Sequence, residues 1–215
     1  MDKKKLSTPQ ITKIALMVAF VSAASYLRIP LPFSEAAITG QTLAVNLVAL
    51  TLSPLEAFIT LLCYWLLGVV GAPVYGGASG PGKMFGPAGG YFIGFIVAVV
   101  LIAWLRGKKY NIVRYALVAI LIGIPIIDGA GFVWMKFAAG MTWKAAFFAG
   151  FVPFIPLDIV KCIAAVLIAK PIQVAFYAME DSMGRGGCTH TEGMGETAEF
   201  YAMEDSMGRG GKKKV

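Results

Sequence analysis

The stretch PAGGYFIGFIVAVVLIAWLRGKKYNIVRYALVAILIGIPIIDGAGFVWM, residues 87–135, decides the fold class of this chain. It contains two apolar runs of membrane-spanning length. The short connection between them carries Arg106, Lys108, Lys109 and Arg114. Because basic residues in short connections concentrate on the cytoplasmic side of a membrane, the stretch predicts two transmembrane helices joined by a cytoplasmic loop.

The composition of the whole chain agrees with this prediction. Of its 215 residues, 58% are hydrophobic and only 14% are charged, and the mean hydropathy is +0.73. A soluble domain of this size needs more charge to cover its surface. The net charge is +7, and the basic residues lie beside apolar runs, not together on a polar face with aromatic residues between them. The composition therefore indicates an integral protein of the lipid bilayer and argues against nucleic-acid binding.

Six apolar runs are long enough to be candidate spans. They cover residues 11–29, 36–52, 55–70, 87–105, 115–135 and 151–169. The second and third runs are either two helices or one helix broken at Ser53-Pro54. Only six spans put the lysines before the first run on the same side as the basic residues after the fourth. We therefore predict an all-α, multi-pass integral membrane protein with six transmembrane helices and both termini cytoplasmic.

The first run has two interpretations. A lysine-rich start, an apolar stretch and Val-Ser-Ala at residues 21–23 resemble a cleaved secretory signal. Ala15, Ala19 and Ala23, however, recur every four residues, a spacing that permits close contact between helices in a bilayer. Alanine is also simply common in membrane helices. We favour a retained helix whose alanine stripe contacts another subunit.

Several function classes find no support in the sequence. The three cysteines are too few and too scattered for a zinc site or a disulfide framework, and His190 is the only histidine. Residues 77–84, GASGPGKM, imitate a phosphate-binding loop, but Met84 occupies the place of the required hydroxyl and no strand precedes it. We expect no metal site, no cofactor and no nucleotide site.

Charged side chains inside the apolar runs are the main candidates for a binding site. Asp158 and Lys161 lie in the last run, in PFIPLDIVKC, and their i,i+3 spacing places them on one helical face. Charges inside a membrane span are costly and usually mark a ligand site or pathway, although a self-neutralising structural pair is the alternative. Asp128 lies inside the fifth run, where it pairs with Lys161, lines the pocket or is partly hydrated. The sequence leaves these choices open.

Neutral polar and aromatic residues supply further candidates. Gln41, at the start of the second run, either binds a ligand amide or caps a helix. Tyr91 is either an interfacial tyrosine or a residue that closes the pocket. Residues 71–86, GAPVYGGASGPGKMFG, form a glycine-rich connection that includes Tyr75 and Phe85. Such a connection suits a flexible cap over a pocket, or it is a plain exposed linker.

Five segments together resemble the BioY family, the biotin-binding S components of energy-coupling-factor (ECF) transporters. ITGQTLAVNLVAL at residues 38–50 is similar to the start of a family helix, and LGVVGAPVYGG followed by GPAGGYFIGF resembles the family's loop and next helix start. GAGFVWM at 129–135 and PFIPLDIVK at 153–161 resemble two later family segments. The resemblance covers about residues 10–171.

The resemblance implies a compact six-helix S-component fold in the cytoplasmic membrane of a prokaryote, with an outward-facing pocket and no enzymatic activity. It implies that Asp158 and Lys161 serve the ligand, and that the pocket draws on the glycine-rich loop and on Tyr91. It also implies docking through the alanine stripe on a transmembrane coupling protein, with two separate ATPase subunits supplying energy.

Biotin suits these side chains, because its ureido ring has two N–H donors and one carbonyl acceptor. A carboxylate accepts from N–H groups, and an ammonium donates to the carbonyl or to the carboxylate tail. Tyr75, Phe85 and Trp134 are candidates to pack on the ring system, and Lys83 either binds the tail carboxylate or is solvated. An S component for thiamine or riboflavin, and an intramembrane enzyme using Asp128 and Asp158, are the alternative functions.

The resemblance ends near residue 171, and the rest of the chain is of a different kind. FYAMEDSMGRGG occurs twice, at residues 176–187 and 200–211. Two short glycine-rich copies cannot bury a core of their own. We therefore predict a membrane domain over residues 1–172 and, over 173–215, a repetitive tail that is either disordered or an addition to the natural protein.

Overall fold

The computed structural model describes residues 6–32, 34, 36–107 and 109–184, which form helices and two short strands. The chain divides into two compact units, Met1–Lys170 and Pro171–Val215. The elements, in chain order, are α1 (Thr8–Tyr26), β1 (Arg28–Ile29), β2 (Ile38–Thr39), α2 (Gln41–Thr51), α3 (Pro54–Val69), α4 (Pro81–Met84), α5 (Gly89–Leu105), α6 (Ile112–Val118), a π-helical turn (Ala119–Gly123), α7 (Ile124–Ala138), α8 (Trp143–Gly150) and α9 (Ile155–Gly184).

The second and third apolar runs are two helices, because α2 ends at Thr51, Leu52 has an extended backbone and Ser53 starts α3. Its side chain accepts a hydrogen bond from the backbone N–H of Glu56, and its own N–H donates to the Glu56 carboxylate at 2.9 Å. This reciprocal pair satisfies two N–H groups that would otherwise lack partners at the start of α3. Pro54 at the first helical position has the backbone φ that a helix start requires.

The fifth run is one continuous helical stretch, Ile112–Ala138, interrupted by the π-helical turn. Pro125 follows this turn, lacks an N–H, and would clash with the carbonyl four residues earlier in a regular helix. Widening the preceding turn accommodates the ring. Ile112–Ala138 and Ile155–Met183 are long and apolar enough to cross a membrane, and α2, α3 and α5 are shorter apolar helices.

Helix α5 lies at the centre of the first unit and packs against α2, α3 and α7. Two glycines let α7 approach it closely. A Cβ atom at Gly90 would lie 2.2 Å from the Cβ of Trp134, and one at Gly94 would lie 3.0 Å from the Cα of Ile127. The first distance is too short for a real contact and the second is tighter than most, so α5 and α7 pack this closely because these side chains are absent.

The two short strands were not part of the all-α prediction. They pair antiparallel, with Arg28 opposite Thr39 and Ile29 opposite Ile38, and they join the end of α1 to the start of α2. β-branched side chains and Pro30 favour extended backbone here. The ladder fixes Arg28 beside the first turn of α2, where the candidate site lies.

The connection at residues 140–150 contains a helix that the sequence analysis did not predict. Helix α8 begins after Thr142, whose side chain accepts a hydrogen bond from the N–H of Ala145 at 3.2 Å. A threonine at this position is a normal helix start, but eight residues give too short an apolar pattern to detect.

Helix α9 continues well past the predicted end of the last run at residue 169. It ends at Gly184, so the helix includes the start of the first repeat copy. Alanine, methionine and glutamate in that copy favour helix, and the glycines from Gly184 onward do not. The rest of the predicted tail, residues 185–215 with the second copy, lies outside the described residues.

Candidate functional site

A pocket lies where the first turns of α2 and α9 meet α5, α7 and the two connections near the strands. Six residues predicted from the sequence line it: Gln41, Tyr75, Lys83, Tyr91, Asp128 and Asp158. Lys161, Phe85 and Trp134, which were also predicted, are not among the lining residues. The structure thus brings six of the predicted residues into the lining of one pocket and leaves three outside it.

Asp158 and Lys161 form an ion pair on the first turns of α9. The Lys161 Nζ donates to Asp158 Oδ1 at 2.7 Å. The other oxygen, Asp158 Oδ2, is buried and makes no well-formed hydrogen bond among the described residues, although the Thr42 hydroxyl of the pocket lining lies close enough to interact with this carboxylate. The lysine side chain is only 15% exposed and does not line the pocket, so it contacts the carboxylate on the side away from the pocket. The lysine thus satisfies one oxygen of the carboxylate and leaves the other oxygen for another donor.

Asp128 on α7 is the second carboxylate of the pocket, and only 1% of the residue is exposed. In the described part of the chain it makes no ion pair with Lys161, and its Oδ2 atom has no hydrogen-bond partner. Of the three alternatives, the structure places Asp128 in the pocket lining and away from solvent. Its carboxylate is close enough to that of Asp158 for the two to repel each other.

These two unpartnered oxygens are the main chemical feature of the pocket. A buried acceptor without a donor is unfavourable by about 1–3 kcal/mol, and more if it is charged. Native structures rarely leave such groups unpaired unless a ligand, water or ion completes them. The floor of the pocket can therefore accept two hydrogen bonds from a molecule that enters it.

Both the NH₂ group and the oxygen of the Gln41 side-chain amide form hydrogen bonds within the protein. Its Nε2 donates to the Tyr64 hydroxyl, and its Oε1 accepts from the Thr39 hydroxyl at 3.1 Å. It is the first residue of α2, and its own side chain does not cap the helix. The side chain thus holds the pocket wall in place, whereas the sequence allowed either a ligand contact or a cap.

The glycine-rich connection is anchored to its neighbours in its first part, contrary to the flexible cap that its composition predicts. Ser25 Oγ donates to the Val74 carbonyl at 2.7 Å and accepts from the Gly76 N–H at 2.8 Å. The Tyr75 hydroxyl donates to the Trp65 carbonyl at 2.6 Å. Composition alone did not show these long-range hydrogen bonds, since they pair loop backbone with side chains far away in the sequence.

Tyr75 is buried because the backbone beneath it has no side chain. A Cβ at Gly68 would lie 1.9 Å from the Tyr75 ring, so only glycine fits there. The ring also packs 4.6 Å from Phe92 and 5.4 Å from Tyr64, measured between centroids. Burial raises the pKa of Tyr75 to about 12, so its hydroxyl remains a donor at physiological pH. Tyr75 forms part of an aromatic wall.

Tyr91 connects α5 to α8 and α9. Its hydroxyl donates to the Gly150 carbonyl, and its ring lies over Gly131 and 5.7 Å from the Phe154 ring. The half-buried side chain is therefore held by contacts within the protein, which favours the pocket interpretation. It lines the pocket while fixing the end of α8.

Phe85 and Trp134 are placed elsewhere than the sequence analysis expected. Phe85 is 62% exposed, so it does not stack in the pocket. The Trp134 indole donates to the Gly86 carbonyl at 3.0 Å and lies beneath Gly90. The predicted role of these two rings in packing on a ligand needs correction, because one faces outward and the other supports the loop.

Several residues that line the pocket were not predicted from the sequence. They include Ser25, Arg28, Thr39, Thr42, Phe92, Phe95 and Phe154. Most are ordinary residues of apolar helices and give no signal by type. Arg28 was detectable, because it lies at the predicted outer end of the first run, where basic residues are disfavoured. A cation that departs from the charge rule is a candidate for a specific role.

The described residues contain no group of three or more histidine, cysteine or acidic side chains suited to a metal ion.

The alanine stripe is on the surface of the first unit, since Ala15, Ala19 and Ala23 are all exposed while Met17 and Val21 on the same helix are buried. The pocket and the stripe therefore occupy different parts of the molecule.

Apolar helices surround a pocket that has two buried acidic side chains, and a solved S-component structure has the same fold. That chain is the S component for biotin from an ECF-type ABC transporter; it matches with a TM-score of 0.73 at 25% identity, covering 79% of this chain and 95% of its own. The family model of BioY matches residues 1–178. The chain belongs to the BioY family.

Curated relatives agree with this assignment. The biotin transporter BioY2 of Lactococcus lactis subsp. cremoris is 39% identical over 155 residues, which are 71% of this chain and 84% of that protein. A probable biotin transporter BioY of Pyrococcus horikoshii is 35% identical over 169 residues, 78% of this chain and 98% of the relative. The resemblance found in the sequence is thus confirmed.

Proposed function

We propose that this chain binds biotin and mediates its uptake across the cytoplasmic membrane as the substrate-specific subunit of an ECF-type transporter. One observation carries the proposal beyond family membership. The two buried oxygens, Asp128 Oδ2 and Asp158 Oδ2, make no well-formed hydrogen bond among the described residues, and both residues line one pocket. The biotin ureido ring presents two N–H donors, which is the complement that this pair lacks.

In this proposal the ureido N–H groups donate to Asp128 and Asp158, and the charge of the lysine-paired Asp158 carboxylate strengthens its bond. Lys161 acts through Asp158, because its ammonium holds Oδ1 and leaves Oδ2 facing the ligand. Phe92 and Phe95 line the same pocket and suit the thioether ring. Gln41, Tyr75 and Tyr91 keep the walls in position through the hydrogen bonds described above.

The experiment that tests the function is calorimetric titration of the detergent-purified chain with biotin, with thiamine and riboflavin titrated separately. Tight one-to-one binding of biotin alone is the expected result. Binding of another vitamin, with no response to biotin in folded protein, would contradict it. An aspartyl enzyme is disfavoured by the Lys161–Asp158 ion pair, because a lysine at one carboxylate opposes a proton shared between two aspartates.

We also propose six membrane crossings, with both termini cytoplasmic and the pocket facing outward. The positions of the basic connections support this topology, as does the break between α2 and α3. In a cysteine-free variant, Lys144→Cys should react with an impermeant thiol reagent on intact cells. Lys109→Cys should react only after permeabilisation, and the reverse pattern would overturn the topology.

The alanine stripe is proposed to dock on a transmembrane coupling protein that carries two ATPase subunits. Its exposure on α1 supports this, because small side chains allow another helix to approach closely. Ala19→Leu should stop uptake in cells while leaving biotin affinity unchanged. Val97→Leu, at an exposed position on α5, is the matched control and should leave uptake intact.

Residues 173–215 are proposed to lie outside the membrane domain and to take no part in biotin binding. Truncation after Gly184 spares all of α9 and tests residues 185–215 of this segment, which include the second repeat copy. We expect an unchanged affinity for biotin in calorimetry. A clear loss of affinity would give the tail a function.

A further inference from the structure

Among the charged residues that line the pocket, the acidic side chains are buried and the basic side chains are more exposed to solvent. The two acids, Asp128 and Asp158, are each 1% exposed. The two bases, Arg28 and Lys83, are exposed and half-buried respectively. The pocket therefore has hydrogen-bond acceptors at its buried end and cations where it is open to solvent. A ligand with donors at one end and an anion at the other would fit this arrangement in one direction only.

The backbone fixes where Arg28 lies. It is paired with Thr39 in the strand ladder, and Thr39 in turn hydrogen-bonds to Gln41 at the start of α2. The Arg28 side chain packs against Gly76 of the anchored loop, where a Cβ would lie 3.4 Å from Arg28 Cδ. Its guanidinium is therefore held beside the pocket by two elements.

Most of the Arg28 donors are available. Nη1 donates to the Gly76 carbonyl at a long 3.4 Å, and Arg28 makes no ion pair with any residue in the described part of the chain. A guanidinium carries five N–H donors in a planar fork that matches a carboxylate. Lys83, at the end of α4, likewise forms no ion pair within the described residues.

We propose that Arg28, assisted by Lys83, binds the carboxylate tail of the ligand at the open end of the pocket, so that biotin binds with its ring inward. This inference rests on the proposed biotin-binding function and adds the direction of binding and the determinant for a free carboxylate. Arg28 supplies a bidentate contact, and Lys83 supplies a single charge. The protein then discriminates against biotin derivatives whose tail is neutral.

The test compares biotin with biotin methyl ester, which keeps the ring and neutralises the tail, by calorimetry on the full chain in detergent. The natural chain should bind biotin at least ~10-fold more tightly than the ester. Arg28→Gln should lower the affinity for biotin by about 10-fold and change the affinity for the ester by no more than about twofold. Lys83→Gln should show the same pattern with a smaller loss.

Lys144→Gln is the matched control, because it removes one positive charge from an exposed residue that does not line the pocket. It should leave both affinities unchanged. Equal affinity of the natural chain for biotin and ester would overturn the inference, and so would an equal loss for both ligands in Arg28→Gln. If neither ligand binds the folded natural chain, the proposed function itself is wrong and this inference falls with it.

Discussion

Lys13 with Glu56, and Lys161 with Asp158, are both lysine–carboxylate pairs buried in the first unit. In the first pair, Glu56 Oε1 lies 3.1 Å from Lys13 Nζ, and Oε2 accepts from the N–H and the hydroxyl of Ser53 at 2.9 and 2.8 Å. Every oxygen is used. In the second pair the lysine satisfies one oxygen of Asp158, and the other makes no well-formed hydrogen bond among the described residues.

The difference distinguishes structural charge from charge that is kept for a ligand. A buried carboxylate with all its hydrogen bonds made contributes to holding helices together, here α1 against α3. A buried carboxylate with an unpaired oxygen destabilises the empty protein, and a bound donor recovers that free energy. Changing the two clusters in parallel should therefore affect stability in one case and binding in the other.

The largest effect is expected for Asp158→Asn. The asparagine amide adds a donor where the ligand also donates, and it leaves the Lys161 ammonium without its carboxylate. We expect biotin affinity to fall about 1000-fold, equivalent to about 4 kcal/mol. Calorimetry on protein shown to be folded measures this. An affinity within tenfold of the natural chain would remove Asp158 from the site.

Glu56→Gln tests the satisfied cluster. Loss of the carboxylate charge breaks the buried ion pair with Lys13, which we expect to lower the free energy of unfolding by about 3 kcal/mol. Biotin affinity should not change, since Glu56 does not line the pocket. Thermal unfolding in detergent and biotin titration are measured on the same sample. Weaker binding with unchanged stability would mean that the two clusters do not differ in role.

The sequence predicted much of this architecture for physical reasons. Apolar runs predict apolar helices, two of which are long enough to cross a membrane, and Ser53-Pro54 marks a helix boundary by local chemistry alone. The i,i+3 spacing of Asp158 and Lys161 follows from helix geometry, so their contact was predictable. Such features depend on residues that are close together in the sequence.

The remainder depended on contacts between distant residues. The ion pair of Lys13 with Glu56 joins two helices, and the hydrogen bonds of Ser25 to the glycine-rich loop cross about fifty positions. Neither is encoded in a local pattern, so the loop was expected to be a flexible cap. The place of Trp134 under Gly90 also follows from packing between helices. The sequence thus identified acidic residues of the site but not the contacts that hold its walls.

Asp128→Asn sharpens the comparison because it should weaken biotin binding and, at the same time, stabilise the empty protein. It puts an amide N–H donor in place of one oxygen acceptor at the pocket floor, where the ligand also donates, and biotin affinity should fall about 10-fold. It also removes a carboxylate that faces Asp158 without a partner, so the empty protein should unfold at a higher temperature. Lower stability together with weaker binding would show that Asp128 is structural.

The smallest effect is expected for Ser53→Ala, which weakens the satisfied cluster without breaking its ion pair. The change removes a helix cap and one hydrogen bond to Glu56, and leaves the Ser53 N–H to donate as before. We expect a loss of about 1 kcal/mol in the free energy of unfolding, with biotin affinity unaltered. In combination with Glu56→Gln the two losses should be less than additive, because both changes act on the same network. Fully additive losses in thermal unfolding would mean that Ser53 stabilises α3 without supporting the Glu56 carboxylate.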